Sequence, residues 1–182
     1  MMGIENDLFL SIVDQPDKRI SLAGPWYCKP GIQLPAKPSG MYTKGTILYN
    51  GMIHPLAPFT MKGMLWYQGE SNASHASDYG TSLKTMIQQW RTLFQQPELP
   101  FLIVQLPNLG RAEDQPKESW WGEMRHQQWL ASSLPFVGLA VTWDIGDPDE
   151  THPRNKADFA SRLYQVAREL AYHEPGPGSG PL

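Results

Sequence analysis

Gly63 to Asn72 reads GMLWYQGESN, and the rest of the chain is arranged around it. Met64, Leu65, Trp66 and Tyr67 form an apolar run without polar alternation, which predicts a strand covered on both faces, as in a parallel α/β sheet. The run breaks at once into Gln68-Gly69-Glu70-Ser71-Asn72, a polar turn with a glycine, and helical periodicity follows. In open parallel sheets such a turn lies at the carboxyl end of a strand, where ligands bind. The stretch therefore sets amide, carboxylate, hydroxyl and backbone N–H groups where chemistry occurs. It reads as half of an active site.

Downstream, Asp78 can cap a helix whose apolar residues Tyr79, Leu83, Met86, Ile87, Trp90, Leu93 and Phe94 recur at helical spacing. Pro97 and Pro100 stop it. Phe101 to Leu106 (FLIVQL) is a second buried strand, with Gln105 as a polar intruder near its end. After a polar loop over Leu109 to Lys117, a helix runs from about Ser119 to Ser133, with Trp121, Met124, Gln128 and Ala131 on one side. Val137 to Trp143 (VGLAVTW) is the third strand. A final helix from about Asn155 to Tyr172 turns Phe159, Ala160, Leu163, Val166, Ala167 and Leu170 inward. The order is βαβαβα, a parallel sheet joined by crossover helices.

Three strands are few for such a sheet, and the strand at Met64 is too apolar for a solvent-exposed edge. Further strands are expected beside it, from the first 45 residues, from upstream sequence or from another chain. Upstream, Ile47, Leu48, Met52 and Ile53 predict a short helical face halted by Pro55 and Pro58. Leu8, Leu10 and Ile12 alternate, as do Ile20 and Leu22, and Trp26-Tyr27-Cys28 follows Gly-Pro. These are short strands between turns, and a Pro- and Gly-rich linker leads on to Gly45. The expected division is a β-rich element over residues 1–45, an α/β domain over 46–174 and a flexible tail over 175–182.

Charged residues make up 18% of the chain and hydrophobic ones 41%, so it is not a disordered chain. A net charge of −3 with no Lys/Arg run argues against a nucleic-acid-binding surface. No stretch is long and apolar enough to span a membrane. The start MMGIENDLFL lacks the apolar core of a signal peptide, so the expectation is a soluble protein of unassigned compartment. The lone Cys28 excludes an internal disulfide or a multi-cysteine zinc site. His54, His75, His126 and His173 show no metal-ligand spacing, which argues against a metal site and leaves them as structural or surface residues.

The second informative stretch is Asp144-Ile-Gly-Asp-Pro-Asp149-Glu-Thr-His152-Pro. A carboxylate three residues before a loop histidine can fold back onto one ring nitrogen and leave the other free as a base. A surface-turn histidine would show the same spacing. The functional reading gains weight because this loop follows the third strand and the G-E-S-N turn follows the first, so both open on one rim.

Together, LYNGMIHPLAPF (Leu48 to Phe59), KGMLWYQGESN, Trp90-Arg91, LPFLIVQL, MRHQQ (Met124 to Gln128) and DIGDPDETHPRNK (Asp144 to Lys156) strongly resemble the sialate O-acetylesterase group of carbohydrate esterases. That group lies within the SGNH (GDSL-like) hydrolases. The resemblance spans about Ser21 to Tyr172. It implies a three-layer, flavodoxin-like α/β fold and removal of O-acetyl groups from sialic acid or related sugars through a serine nucleophile, without cofactors. Members of the group are often secreted, periplasmic or lysosomal. In the family the nucleophile sits in an upstream G-Q-S-N segment, followed by a β-rich insertion. This sequence has no G-Q-S-N, and its first 45 residues resemble the end of that insertion. The sheet is therefore expected to lack its first strand, and the chain to pair with a missing N-terminal segment or another chain.

By position, Gln68, Gly69, Glu70 and Asn72 would hold the acetyl oxyanion or the sugar, each such donor being worth about 3 kcal/mol. His152 would be the base, with Asp149 orienting it, although Glu150 or Asp147 could take that part. Ser71 could substitute as nucleophile if it reached His152, but a turn serine bonding backbone explains it too. Gln105 and Arg125 could position substrate or hold a loop. Asp144 reads as a cap for loop N–H groups. Trp120 and Trp121 could stack on a sugar, with Trp121 the better core residue. The alternative to an esterase is a catalytically incomplete sugar-binding or assembly module.

Overall fold

The computed structural model describes residues 9–12, 15–21 and 45–176. The chain divides into two compact units, Met1–Lys44 and Gly45–Leu182. In the first, β1 (Phe9–Ile12) and β2 (Gln15–Ser21) pair antiparallel, with the register shifting between Ser11 and Ile12. Trp26 to Cys28, the linker before Gly45 and the last six residues lie outside the described residues.

The second unit begins with a wide helical turn, Tyr49–Ile53, in which the His54 N–H reaches Tyr49 O. A 3-10 turn, His54–Leu56, continues it, with Pro55 in the first turn, where its missing N–H costs nothing. The expected helix is present, but none of its residues is buried.

Strands β3 (Met64–Trp66), β4 (Phe101–Val104) and β5 (Val137–Ala140) form one parallel sheet in the order β3-β4-β5. Met64 pairs with Phe101 and Phe101 with Val137, so the strands start level. Helices α1 (Tyr79–Leu93) and α2 (Trp120–Ala131) follow β3 and β4, and α3 (Lys156–Tyr172) follows β5. Strand alternation assigns the two faces. Phe101 and Ile103 join Leu83 and Ile87 of α1 and Met124 of α2, while Leu102 and Ala140 pack on Val166 of α3. The result is the expected three-layer α/β unit, with β4 buried at every residue.

Two expectations change. Among the described residues the Met64 strand is not covered on both faces: it is the sheet edge, and Leu65 is 61% exposed. Helix α3 contacts β4 and β5, which leaves the β3 side of that face open. No further strand pairs with β3 among the described residues. Ala160 is exposed rather than inward, because it lies toward the same open side of α3. Among the described residues, no helix is long and apolar enough to cross a membrane.

Candidate active site

Because β3, β4 and β5 are parallel, their carboxyl ends open on one rim, and the loop after each carries candidate residues. The loop after β3 turns at Gly69, whose φ of +148° favours glycine. A Cβ there would also press on Gln128 Nε2 at 3.3 Å and on Leu106 and Met124 at 3.4 Å. Glu70–Asp78 then coils as a 3-10 helix, kinked at His75, straight into α1. Asp78 consequently makes no side-chain cap, contrary to expectation.

Two side chains fix this turn from below. The Tyr79 hydroxyl accepts from Trp66 Nε1 (3.1 Å) and shares its proton between Gln68 O (3.0 Å) and Gln68 Oε1 (2.9 Å). Gln68 Nε2 in turn donates to Asn72 Oδ1 at 2.8 Å. Burial raises the Tyr79 pKa and Glu70 adds to it, while the bond from Trp66 works the other way. Gln128, fully buried, donates to Gln68 O (3.0 Å) and accepts the Leu106 N–H (2.8 Å). One buried amide thus ties the β3 loop to the β4 loop and leaves neither partner unsatisfied.

In the β4 loop, Gln105 donates to Arg125 O at 3.2 Å, and its Oε1 is buried without a partner among the described residues. Arg125, partly buried, reaches Pro107 O at 3.4 Å, the carbonyl that Trp121 Nε1 also approaches. Burial lowers the Arg125 pKa but leaves a guanidinium charged at neutral pH. Gln105 and Arg125 therefore brace the loop between β4 and α2.

The β5 loop is clasped to the β4 loop. The buried Thr142 hydroxyl donates to Gln105 O, Gly146 N–H donates to Asn108 Oδ1 (2.7 Å), and Gly110 N–H donates to Pro148 O (2.8 Å). A Cβ on Gly146 would lie 2.5 Å from Asn108 O, so the two backbones meet only because the residue is glycine. Asp144 forms a bidentate pair with Arg162 of α3, which also donates to Val141 O at 2.8 Å. Hydrogen bonding to Arg162 pulls the Asp144 carboxyl below its usual range. Asp144 is thus an ion-pair partner of α3, not merely a loop cap.

His152 ends this loop, with its side chain 79% exposed. Its backbone N–H donates to Glu150 Oε1 at 3.0 Å, and its Nδ1 lies 4.0 Å from the same oxygen. Asp147 Oδ1 accepts the Asp149 backbone N–H at 3.0 Å, and the Asp149 carboxylate makes no bond to the His152 ring. Glu150 is thus the carboxylate nearest the imidazole.

A cavity of about 600 Å³ brings Glu70 and His152 together with Leu65, Tyr67, Lys156 and Phe159. Burial first, and Glu70 second, push the Tyr67 hydroxyl up to about 12. Lys156 Nζ lies 5.2 Å from the Tyr67 and Phe159 ring centres. Ser71 and Asn72 are exposed and do not line this cavity, and the Ser71 hydroxyl makes no hydrogen bond among the described residues. The structure therefore unites Glu70 with His152, not Ser71 with His152. Among the described residues no cluster of three His, Cys, Asp or Glu could hold a metal ion.

Tyr79, Lys156 and Arg162 escaped the sequence reading as site residues. Tyr79 was legible only as an apolar-stripe residue, and the two cations lay on a helix read for its apolar face.

The family model for carbohydrate esterases of the sialic acid-specific acetylesterase type matches residues 37–166, most of the chain and the whole rim. This chain belongs to that family. Sialate O-acetylesterase from Homo sapiens is 34% identical over 148 residues, covering 72% of this chain and 28% of the relative. The Mus musculus protein of the same name is 35% identical over 148 residues. A carbohydrate acetylesterase from Xanthomonas citri superposes with a TM-score of 0.66 at 46% identity, covering 71% of this chain and 30% of that structure. The chain thus spans under a third of the length of these acetylesterase relatives.

Proposed function

We propose that this chain supplies the histidine base and the substrate-holding turn of a carbohydrate esterase that removes O-acetyl groups from sialic acid or related sugars. The observation that carries the reading is the shared cavity of Glu70 and His152, which arrive from the loops of different strands. Family membership supports the same chemistry.

In this reading a serine Oγ attacks the acetyl carbonyl carbon and gives its proton to His152 Nε2, the ring nitrogen turned away from Glu150. The carbonyl oxygen becomes an oxyanion, which rim N–H groups of the Gln68–Asn72 turn would receive. Collapse breaks the ester C–O bond, and the imidazolium returns the proton to the departing sugar oxygen. Water then repeats the sequence on the acetyl-serine and releases acetate. Glu150 holds Nδ1–H in this scheme, with Asp149 as the alternative.

Because Ser71 makes no bond to His152, the nucleophile is proposed to come from outside these residues, on a strand docked along the open edge of β3. Ser71 remains the in-chain alternative. The test is hydrolysis of p-nitrophenyl acetate by this chain, by Ser71→Ala and by His152→Ala. Turnover near the buffer rate for all three is expected. Robust turnover abolished by both substitutions would move the nucleophile to Ser71. Robust turnover surviving His152→Ala would overturn the mechanism. The orienting acid is tested in the same assay on a chain that carries the nucleophile strand: Glu150→Gln is expected to lower kcat more than Asp149→Asn, and the reverse order returns the role to Asp149.

A further inference from the structure

The 3-10 stretch Glu70–Asp78 has a second side, away from the residues so far given roles. There, Ser74, His75 and Ser77 face Glu118, Ser119 and Trp120 at the start of α2, across a cavity of about 450 Å³. Trp120 is 74% exposed, the most exposed of the large apolar side chains among the described residues. Its neighbour Trp121 spends its indole N–H on Pro107 O, so only Trp120 presents a free aromatic wall.

The polar inventory around that indole is specific. The Glu118 carboxylate makes no hydrogen bond or ion pair among the described residues. Ser119 Oγ accepts the Gly122 N–H as the helix cap, which leaves its hydroxyl proton to donate outward. Ser74 Oγ and His75 Nδ1 are paired at 2.9 Å, leaving Nε2 of the ring for a ligand. Glu123 also lines the cavity, with one oxygen taken by Gln127 Nε2 at 2.8 Å. An exposed indole beside two carboxylates, with hydroxyl and imidazole groups opposite, suits a polyhydroxylated ring. The ring's C–H face lies on the indole and its hydroxyls donate to the carboxylates. Lys and Arg do not line the cavity, and an anionic sugar would be repelled by the two glutamates.

We infer that this cavity is a binding subsite for a neutral pyranose, separate from the cavity that holds His152. The continuous 3-10 stretch gives the two cavities a common wall, with Glu70 lining one and Ser74 the other. If the esterase reading holds, the subsite takes an uncharged sugar of the glycan next to the acetylated residue. The subsite itself does not need that reading to be right.

The test is binding, not turnover. The full chain, labelled with ¹⁵N, is titrated with lactose and separately with N-acetylneuraminate while the indole N–H resonances are followed. Trp120→Phe assigns the Trp120 signal. Lactose is expected to shift that signal, and Trp120→Ala is expected to weaken lactose binding about tenfold. Glu118→Gln should weaken it less, and His152→Ala should leave it unchanged. N-acetylneuraminate should not move the Trp120 signal. A Trp120 signal unmoved by lactose up to its solubility limit would overturn the inference, as would an equal response to N-acetylneuraminate. Because Trp120 is exposed, its substitution should leave the far-ultraviolet circular dichroism of the chain intact. Lactose binding at Trp120 together with robust ester turnover that survives His152→Ala would sink the esterase reading alone.

Discussion

Strands β3 and β4 carry the same kind of apolar run, Met-Leu-Trp-Tyr and Phe-Leu-Ile-Val, and meet opposite fates. Every residue of β4 is buried between α1 and α2 on one side and α3 on the other. Among the described residues, β3 has α1 on one face only, an open strand edge, and Leu65 in solvent. The difference lies in neighbours and not in the strand's own residues. An apolar run reports that a strand is meant to be covered, and leaves open what covers it. β3 is thus the surface along which the proposed nucleophile strand would dock.

The contrast can be broken by substitution. Ile103→Ala in β4 should cost about 2–5 kcal/mol in urea unfolding, because a sealed site collapses poorly around a cavity. Gly69→Ala, at the end of β3, should cost about 1–3 kcal/mol through its backbone angle and its closeness to Gln128. It should also broaden the resonances of the Gln68–Asn72 turn.

The Asp144–Arg162 pair gives a smaller, pH-dependent effect. The folded carboxyl has a lowered pKa, so its contribution is present above the ordinary carboxylate value of 3.8 and fades as pH falls through the folded value. Thermal unfolding of Asp144→Asn should therefore differ from the parent at neutral pH and converge with it in strong acid. Leu65→Ala should be the mildest change, within about 0.5 kcal/mol. A cost as large as that of Ile103→Ala would mean that β3 is covered in solution, by a further strand or by another copy of the chain.

The helical stripes of α1 and α3 were legible because covered positions recur every three or four residues, and each helix forms within a few residues of its expected bounds. The two rim loops were legible because each follows a strand in a parallel sheet. Side-chain partners were not. Asp149 was favoured over Glu150 by spacing, yet the loop returns to its own backbone, with the Asp147 carboxylate taking the Asp149 N–H and the Glu150 carboxylate taking the His152 N–H. That choice depends on loop dihedrals, which spacing does not encode. Gln128 stood out as a polar residue on an apolar stripe, but its two partners lie in loops far away in sequence.

At the opposite end of the sheet stands Arg91, a buried cation with no carboxylate partner among the described residues. Its guanidinium donates to Leu99 O at 3.1 Å, Pro135 O at 2.8 Å and Phe136 O at 3.1 Å, gripping the chain just before β4 and β5. Those three bonds pin the amino ends of two neighbouring strands to α1. The backbone amides beside Arg91 should therefore be among the last to exchange with heavy water.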